Sequence, residues 1–102
     1  MPQFMILARD GTDPEAPARR MKARPAHFAV IGDLVAAGQL ICGGAQLDDA
    51  GQMVGSYAVC DFASRADLDA WLAREPYLQA GVWRSIEIVP IRIAVRDGKI
   101  TP

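Results

Sequence analysis

One histidine, a run of guanidinium groups and a glutamate fixed by proline are the side chains in this sequence best suited to chemistry. His27 is the sole imidazole among 102 residues. An imidazole ordinarily changes charge near neutral pH, so it can take and deliver a proton. In helical spacing it stands four residues before Ile31 and seven before Leu34, at the border of an apolar stripe. The plainer reading of that placement is a histidine at a core boundary, satisfied by a backbone carbonyl. Arg19, Arg20, Lys22 and Arg24 put four cations just ahead of it. Arg20 and Arg24 are one helical turn apart and could together clamp a carboxylate or phenolate, as planar guanidinium groups do well. A solvated helix face would look the same.

Glu75-Pro76-Tyr77 is the third feature. Proline after a carboxylate fixes its direction, so Glu75 could orient the imidazole or act as a base itself. It could equally be a plain helix stop. Ser56, in Gly55-Ser56-Tyr57, could donate a hydrogen bond to a ligand from a strand. Tyr77 would stand beside the same site. Gly43-Gly44 lacks the spacing of a phosphate-binding loop. One histidine and two scattered cysteines do not suit a metal site, and no cofactor motif is expected.

Composition bounds the rest. At 51% hydrophobic and 23% charged residues the chain has a globular profile. Its length allows one core, so one domain over 1–102 is expected, with its core at about 3–95. A net charge of −1 gives no reason to expect nucleic acid or an acidic membrane as partner. The apolar runs are too short to span a bilayer, and the N-terminus reads as a strand and not as a leader, so a cytoplasmic location is expected. Cys42 and Cys60 sit in apolar runs and are expected as reduced core thiols.

These residues need elements to position them. Phe4 to Ala8 has the length of a strand, ended by Gly11-Thr12-Asp13-Pro14. Thr12 or Asp13 could cap a helix, with Pro14 in its first turn. From about Ala18 to Ala37 the spacing turns helical, with Phe28, Ile31, Leu34 and Val35 as an apolar stripe. Pro25 predicts a break or kink at Lys22 to Arg24, and Gly38 a stop. Leu40 to Ala45 and Met53 to Phe62 read as a hairpin around Asp48-Asp49-Ala50-Gly51. Ser64-Arg65-Ala66-Asp67 opens a second helix ended at Glu75-Pro76. Tyr77 to Gly81 is a connector, and Val82 to Val95 a final strand with Pro90 at an edge. Asp97-Gly98 is a turn.

The order β-α-β-β-α-β is the ferredoxin-like plan of the α+β class, an antiparallel sheet with both helices on one face. The other face still carries apolar side chains, and a second copy of the chain is the economical cover. A homodimer, or a higher symmetric oligomer, is expected.

Arg24-Pro25-Ala26-His27-Phe28 resembles the R-P-x-H-[LF] signature of the YCII-related family. Supporting pieces stand in order: Ala8-Arg9-Asp10, Arg20, Gly38-Gln39-Leu40, Gly43-Gly44 where the family usually has Gly-Pro, and Phe62-Ala63-Ser64. Trp71 and Glu75-Pro76-Tyr77-Leu78-Gln79-Ala80-Gly81-Val82 then match W-x3-[DE]-P-Y-x2-A-G-[VL]. The likeness implies a dimeric α+β barrel and a site built on a histidine and an acidic residue, His27 and Glu75 here, where the family more often has aspartate.

Two functions suit these residues. One is a cofactor-free lyase or isomerase acting on a small, anionic molecule. His27 and Glu75 would move the proton, while Arg20 or Arg24, Ser56 and Tyr77 contact the substrate. The other is a non-catalytic module that binds a small ligand in the same pocket.

Overall fold

The structure, a computed structural model, describes residues 2–102. Strand β1 (Gln3–Asp10) leads to helix α1 (Ala16–Ala36), the hairpin β2 (Leu40–Leu47) and β3 (Met53–Asp61), helix α2 (Arg65–Leu72), a single turn α3 (Pro76–Gln79) and strand β4 (Trp83–Ile91). A short hairpin, β5 (Val95–Arg96) and β6 (Lys99–Ile100), follows. The four long strands form one antiparallel sheet in the order β2-β3-β1-β4. This is the ferredoxin-like arrangement of an α+β fold.

Alternation along β1 sorts the sheet's two faces. Phe4, Ile6 and Ala8 are buried beneath the helices, with Cys60 and Phe62 from β3 and its end. Leu34 of α1, Leu68, Trp71 and Leu72 of α2, and Tyr77 of α3 close this core from above. Burial pushes the Cys60 thiol up to about 12, so it behaves as a small inert hydrophobe. Met5, Leu7, Val59 and Val89 alternate to the opposite face, where they are half-buried beside the exposed Tyr57. None of these four belongs to the core beneath the helices.

Several expectations need correcting. Cys42 is not a core thiol: it is exposed on β2, an edge strand. Pro25 does not break α1, which runs through it without interruption. Proline removes only its own hydrogen bond, to the carbonyl four residues back. Anchors on both sides offset that loss: Arg20 is bonded to β1 and β3, His27 to Glu75, and Leu34 is buried in the core. The helix starts at Ala16, with Glu15 at the cap position and no side-chain cap. Asp13 is not that cap, because its carboxylate is bound by Arg19 at 2.6 and 3.1 Å. The Arg19 hydrogen bond holds the Asp13 carboxyl down at about 2.

The final strand is shorter than its apolar run. β4 pairs only with β1, and Ile91 lies opposite Gln3, where β1 begins. Residues beyond Ile91 have no partner strand there, and the chain leaves the sheet. Pro90 is tolerated because β4 is an edge. The turn at Asp97-Gly98 forms the β5-β6 hairpin, with both residues at positive φ (53° and 73°). Ser64 caps α2 by accepting from the Asp67 N–H at 3.1 Å. The expected connector after Glu75 is instead the helical turn α3.

No helix among the described residues is long and apolar enough to cross a membrane.

Candidate functional site

The helical stripe Phe28, Ile31, Leu34, Val35 does not all pack on the sheet. Only Leu34 is buried; Phe28 is 49% and Val35 58% exposed. The other three stand over a gap between α1 and the β2-β3 hairpin. That gap is a pocket of about 380 Å³, the size class of small-molecule sites. Phe28, Ile31 and Val35 form one wall, Leu40 to Ala45 of β2 another, and Ser56 and Ala58 the sheet floor. Tyr77 and Trp83 line it with His27, Arg20 and Arg24.

His27 and Glu75, 48 residues apart in the chain, meet at this pocket. The imidazole Nδ1 lies 2.7 Å from Glu75 Oε1 and 3.0 Å from Oε2. Glu75 is fully buried, while the His27 side chain keeps 13% of its surface exposed. Local sequence explains the aim of Glu75. Pro76 begins α3, Glu75 caps it, and its Oε1 accepts from the Tyr77 N–H at 3.2 Å. The same turn brings the Tyr77 ring flat against the imidazole, with centroids 3.8 Å apart and planes within 8°. A carboxylate can only accept, so the imidazole tautomer that suits this contact has Nδ1 as donor and Nε2 as acceptor.

Arg20 sits one turn earlier on α1 and is buried at 4% exposure. Its Nη1 donates to both oxygens of Asp10, at 2.9 and 3.0 Å. Its Nη2 donates to Ser56 Oγ at 2.9 Å, and its guanidinium lies 4.8 Å over the Tyr77 ring. Trp83 Nε1 donates to the same Ser56 oxygen at 3.0 Å. A hydroxyl has two lone pairs and one proton. Both lone pairs of Ser56 are therefore taken, and its O–H proton is left to be donated elsewhere. Arg20 Nε is buried without a partner among the described residues. Burial raises the Tyr77 phenol above its usual range, which keeps it neutral.

Arg24 is different. It lines the pocket half-buried, with Nη1 3.3 Å from Met53 Sδ and its guanidinium 4.9 Å over the Phe28 ring. Gly44 fits the pocket rim because the Tyr57 ring lies across it; a Cβ there would come within 2.9 Å of that ring.

Five of the six candidate side chains, His27, Arg20, Arg24, Ser56 and Tyr77, thus line one cavity, and the sixth, Glu75, reaches it only through its contact with His27. Two partners were not foreseen from sequence. Asp10 is an ordinary acidic strand end, and Trp83 an ordinary apolar strand start. Alternation along β1 points Asp10 toward the helix side with Phe4, Ile6 and Ala8. Trp83 is out of phase with Ile86 and Ile88 and comes opposite Asp10 through the register shift between Arg9 and Asp10.

Comparison with known proteins gives this fold a family. The YCII-related domain matches residues 2–92, so the chain belongs to the YCII-related family. It is 28% identical over 95 residues to Protein YciI of Escherichia coli O6:H1, covering 87% of this chain and 95% of that one. Among solved structures it is similar to 5-chloro-2-hydroxyhydroquinone dehydrochlorinase (TftG) from Burkholderia phenoliruptrix AC1100, in complex with 2,5-dihydroxybenzoquinone. That likeness has a TM-score of 0.76 at 22% identity, over 88% of this chain and 93% of the other. A dimeric ferredoxin-like protein from an uncultured marine organism is similar at TM-score 0.58 and 13% identity, over 94% and 93% of the chains.

Proposed function

We propose that this member of the YCII-related family is a small-molecule enzyme of the lyase or isomerase type, with His27 and Glu75 as its proton-transfer pair. The observation that carries the reading is the 2.7 Å contact from His27 Nδ1 to a wholly buried carboxylate, on a ring that lines a pocket. Catalytic histidines are set in this way: one nitrogen is held by a carboxylate, and the other faces the substrate.

The steps follow from the hydrogen-bond inventory. His27 Nε2 takes a proton from a saturated carbon beside a carbonyl of the ligand, the keto tautomer in the case of a phenol. The electron pair left behind moves onto that oxygen as an enolate. Glu75 holds the imidazolium that forms, and the stacked Tyr77 ring keeps it in plane. The Ser56 hydroxyl, with both lone pairs occupied, donates its proton as a hydrogen bond to the enolate oxygen. Arg20 acts behind Ser56 as a positioning residue, because its own charge is already matched by Asp10. Return of the proton to another carbon gives an isomerase; loss of a neighbouring leaving group gives a lyase. The TftG likeness supports a ring-sized ligand, since that protein holds a dihydroxybenzoquinone.

The working unit is a homodimer. The half-buried apolar row Met5, Leu7, Val59 and Val89 on the open sheet face supports this, as does the dimeric state of a similar fold.

Deuterium uptake from D2O tests the reaction. A panel of anaerobic hydroxyhydroquinones and enolisable 2-oxo acids is followed by proton NMR with and without the protein. At least one compound will exchange a carbon-bound hydrogen on the order of 10²-fold faster with protein than in buffer. Compounds that bind without any faster exchange would make the pocket a binding module and not an active site.

A further inference from the structure

The charges around the pocket do not cancel evenly, and the imbalance falls on one residue. Three cationic or potentially cationic side chains line it: Arg20, Arg24 and His27. Arg20 spends its charge on Asp10, and His27 is held by Glu75. Among the described residues no carboxylate lines the pocket itself. Arg24 has only a thioether sulfur and the face of Phe28 against it among the described residues. Both are weak partners for a group with five N–H donors. A half-buried guanidinium in that state has N–H donors to spare for an oxyanion.

Its position adds a direction. Arg24 precedes His27 by three residues on one uninterrupted helix, so the two side chains share a face. The flat rings of Phe28, Tyr77 and Trp83 line the same space. We propose that Arg24, and not Arg20, is the residue that selects the ligand's charge. The ligand is a planar ring bearing one fixed negative group, held at Arg24, with the reacting part of the ring toward His27 and Ser56. This inference rests on the reading of the pocket as a small-molecule site.

Calorimetric titration with 4-hydroxybenzoate and 4-hydroxybenzamide tests it, since the two differ in charge and hardly in shape. The wild-type protein is expected to bind the benzoate about tenfold more tightly than the amide, the size of one charged hydrogen-bond interaction. Arg24→Gln will bring the two affinities within about twofold, chiefly by weakening the benzoate. Arg24→Lys, which keeps the charge and loses the fork, will retain part of the preference. The lysine variant also serves if the glutamine variant does not fold. A full tenfold preference in Arg24→Gln, or an enhanced one in Arg24→Lys, overturns the assignment while leaving the ring site intact. Equal binding of both probes by the wild-type protein does the same. Binding of neither probe at millimolar concentration overturns the small-molecule reading itself, and this inference with it.

Discussion

A His27→Asn variant is expected to exchange carbon-bound hydrogens about 10²- to 10⁴-fold more slowly than the wild-type protein, the usual contribution of a positioned acid or base. The substitution is chosen for what it keeps. The asparagine amide nitrogen stands where Nδ1 stood and can still donate to Glu75, so the buried carboxylate retains a partner. What it removes is the basic nitrogen facing the ligand. Affinity for a ring compound should therefore change by only a few-fold, and the unfolding midpoint by little. Proton NMR gives the exchange rate and calorimetry the affinity, so the two are read separately. Loss of binding in proportion to loss of exchange would mark His27 as a packing residue of the pocket wall.

The second large effect is on stability. Asp10→Ala is expected to cost about 3–5 kcal/mol, measured by urea unfolding, because it strands the buried Arg20 charge. In the wild-type protein Arg20 is 4% exposed and bonded to Asp10 and Ser56. Without Asp10, one neutral hydroxyl is its remaining acceptor. The double variant with Arg20→Met separates the pair from the loss of contacts. Removing both charges should cost less than the sum of the single losses, since no unpaired ion remains. A cost under about 1 kcal/mol for Asp10→Ala would show that water reaches Arg20 and that the network behind Ser56 is loose.

The parts of this fold legible in the sequence are those set by local pattern. Strand β1 and the hairpin are apolar runs bounded by turn residues, and α2 announces itself through Ser64 and Asp67. The order of elements then leaves few topologies. The parts not legible depend on what lies across space. Pro25 is a helix breaker by its neighbours alone, yet α1 continues because Arg20 and His27 are fastened on either side of it. The apolar stripe of α1 looks like a core face, but Phe28 and Val35 stand over a pocket instead. Cys42 lies in an apolar run like Cys60, and only strand order shows that one is on an edge and the other under the helices.

The site divides in the same way. His27, Arg20 and Arg24 share one helix, so their common face follows from periodicity. The meeting of His27 with Glu75 spans 48 residues, and no spacing rule reaches that far. Asp10 ends the alternation of β1, which places it on the helix side, but only its buried contact with Arg20 shows that Arg20 is already neutralised. That contact also separates two arginines that look equivalent in the sequence.

The account turns on which nitrogen of His27 faces the pocket. Since this is the sole histidine, a long-range proton–nitrogen-15 correlation spectrum shows one imidazole without ambiguity. With the imidazole neutral, Nδ1 should carry the proton and Nε2 should be bare. Adding 4-hydroxybenzoate should then move the Nε2 signal far more than Nδ1. A ring protonated at Nε2, or an Nε2 signal indifferent to ligand, would contradict the assignment of His27 as the base.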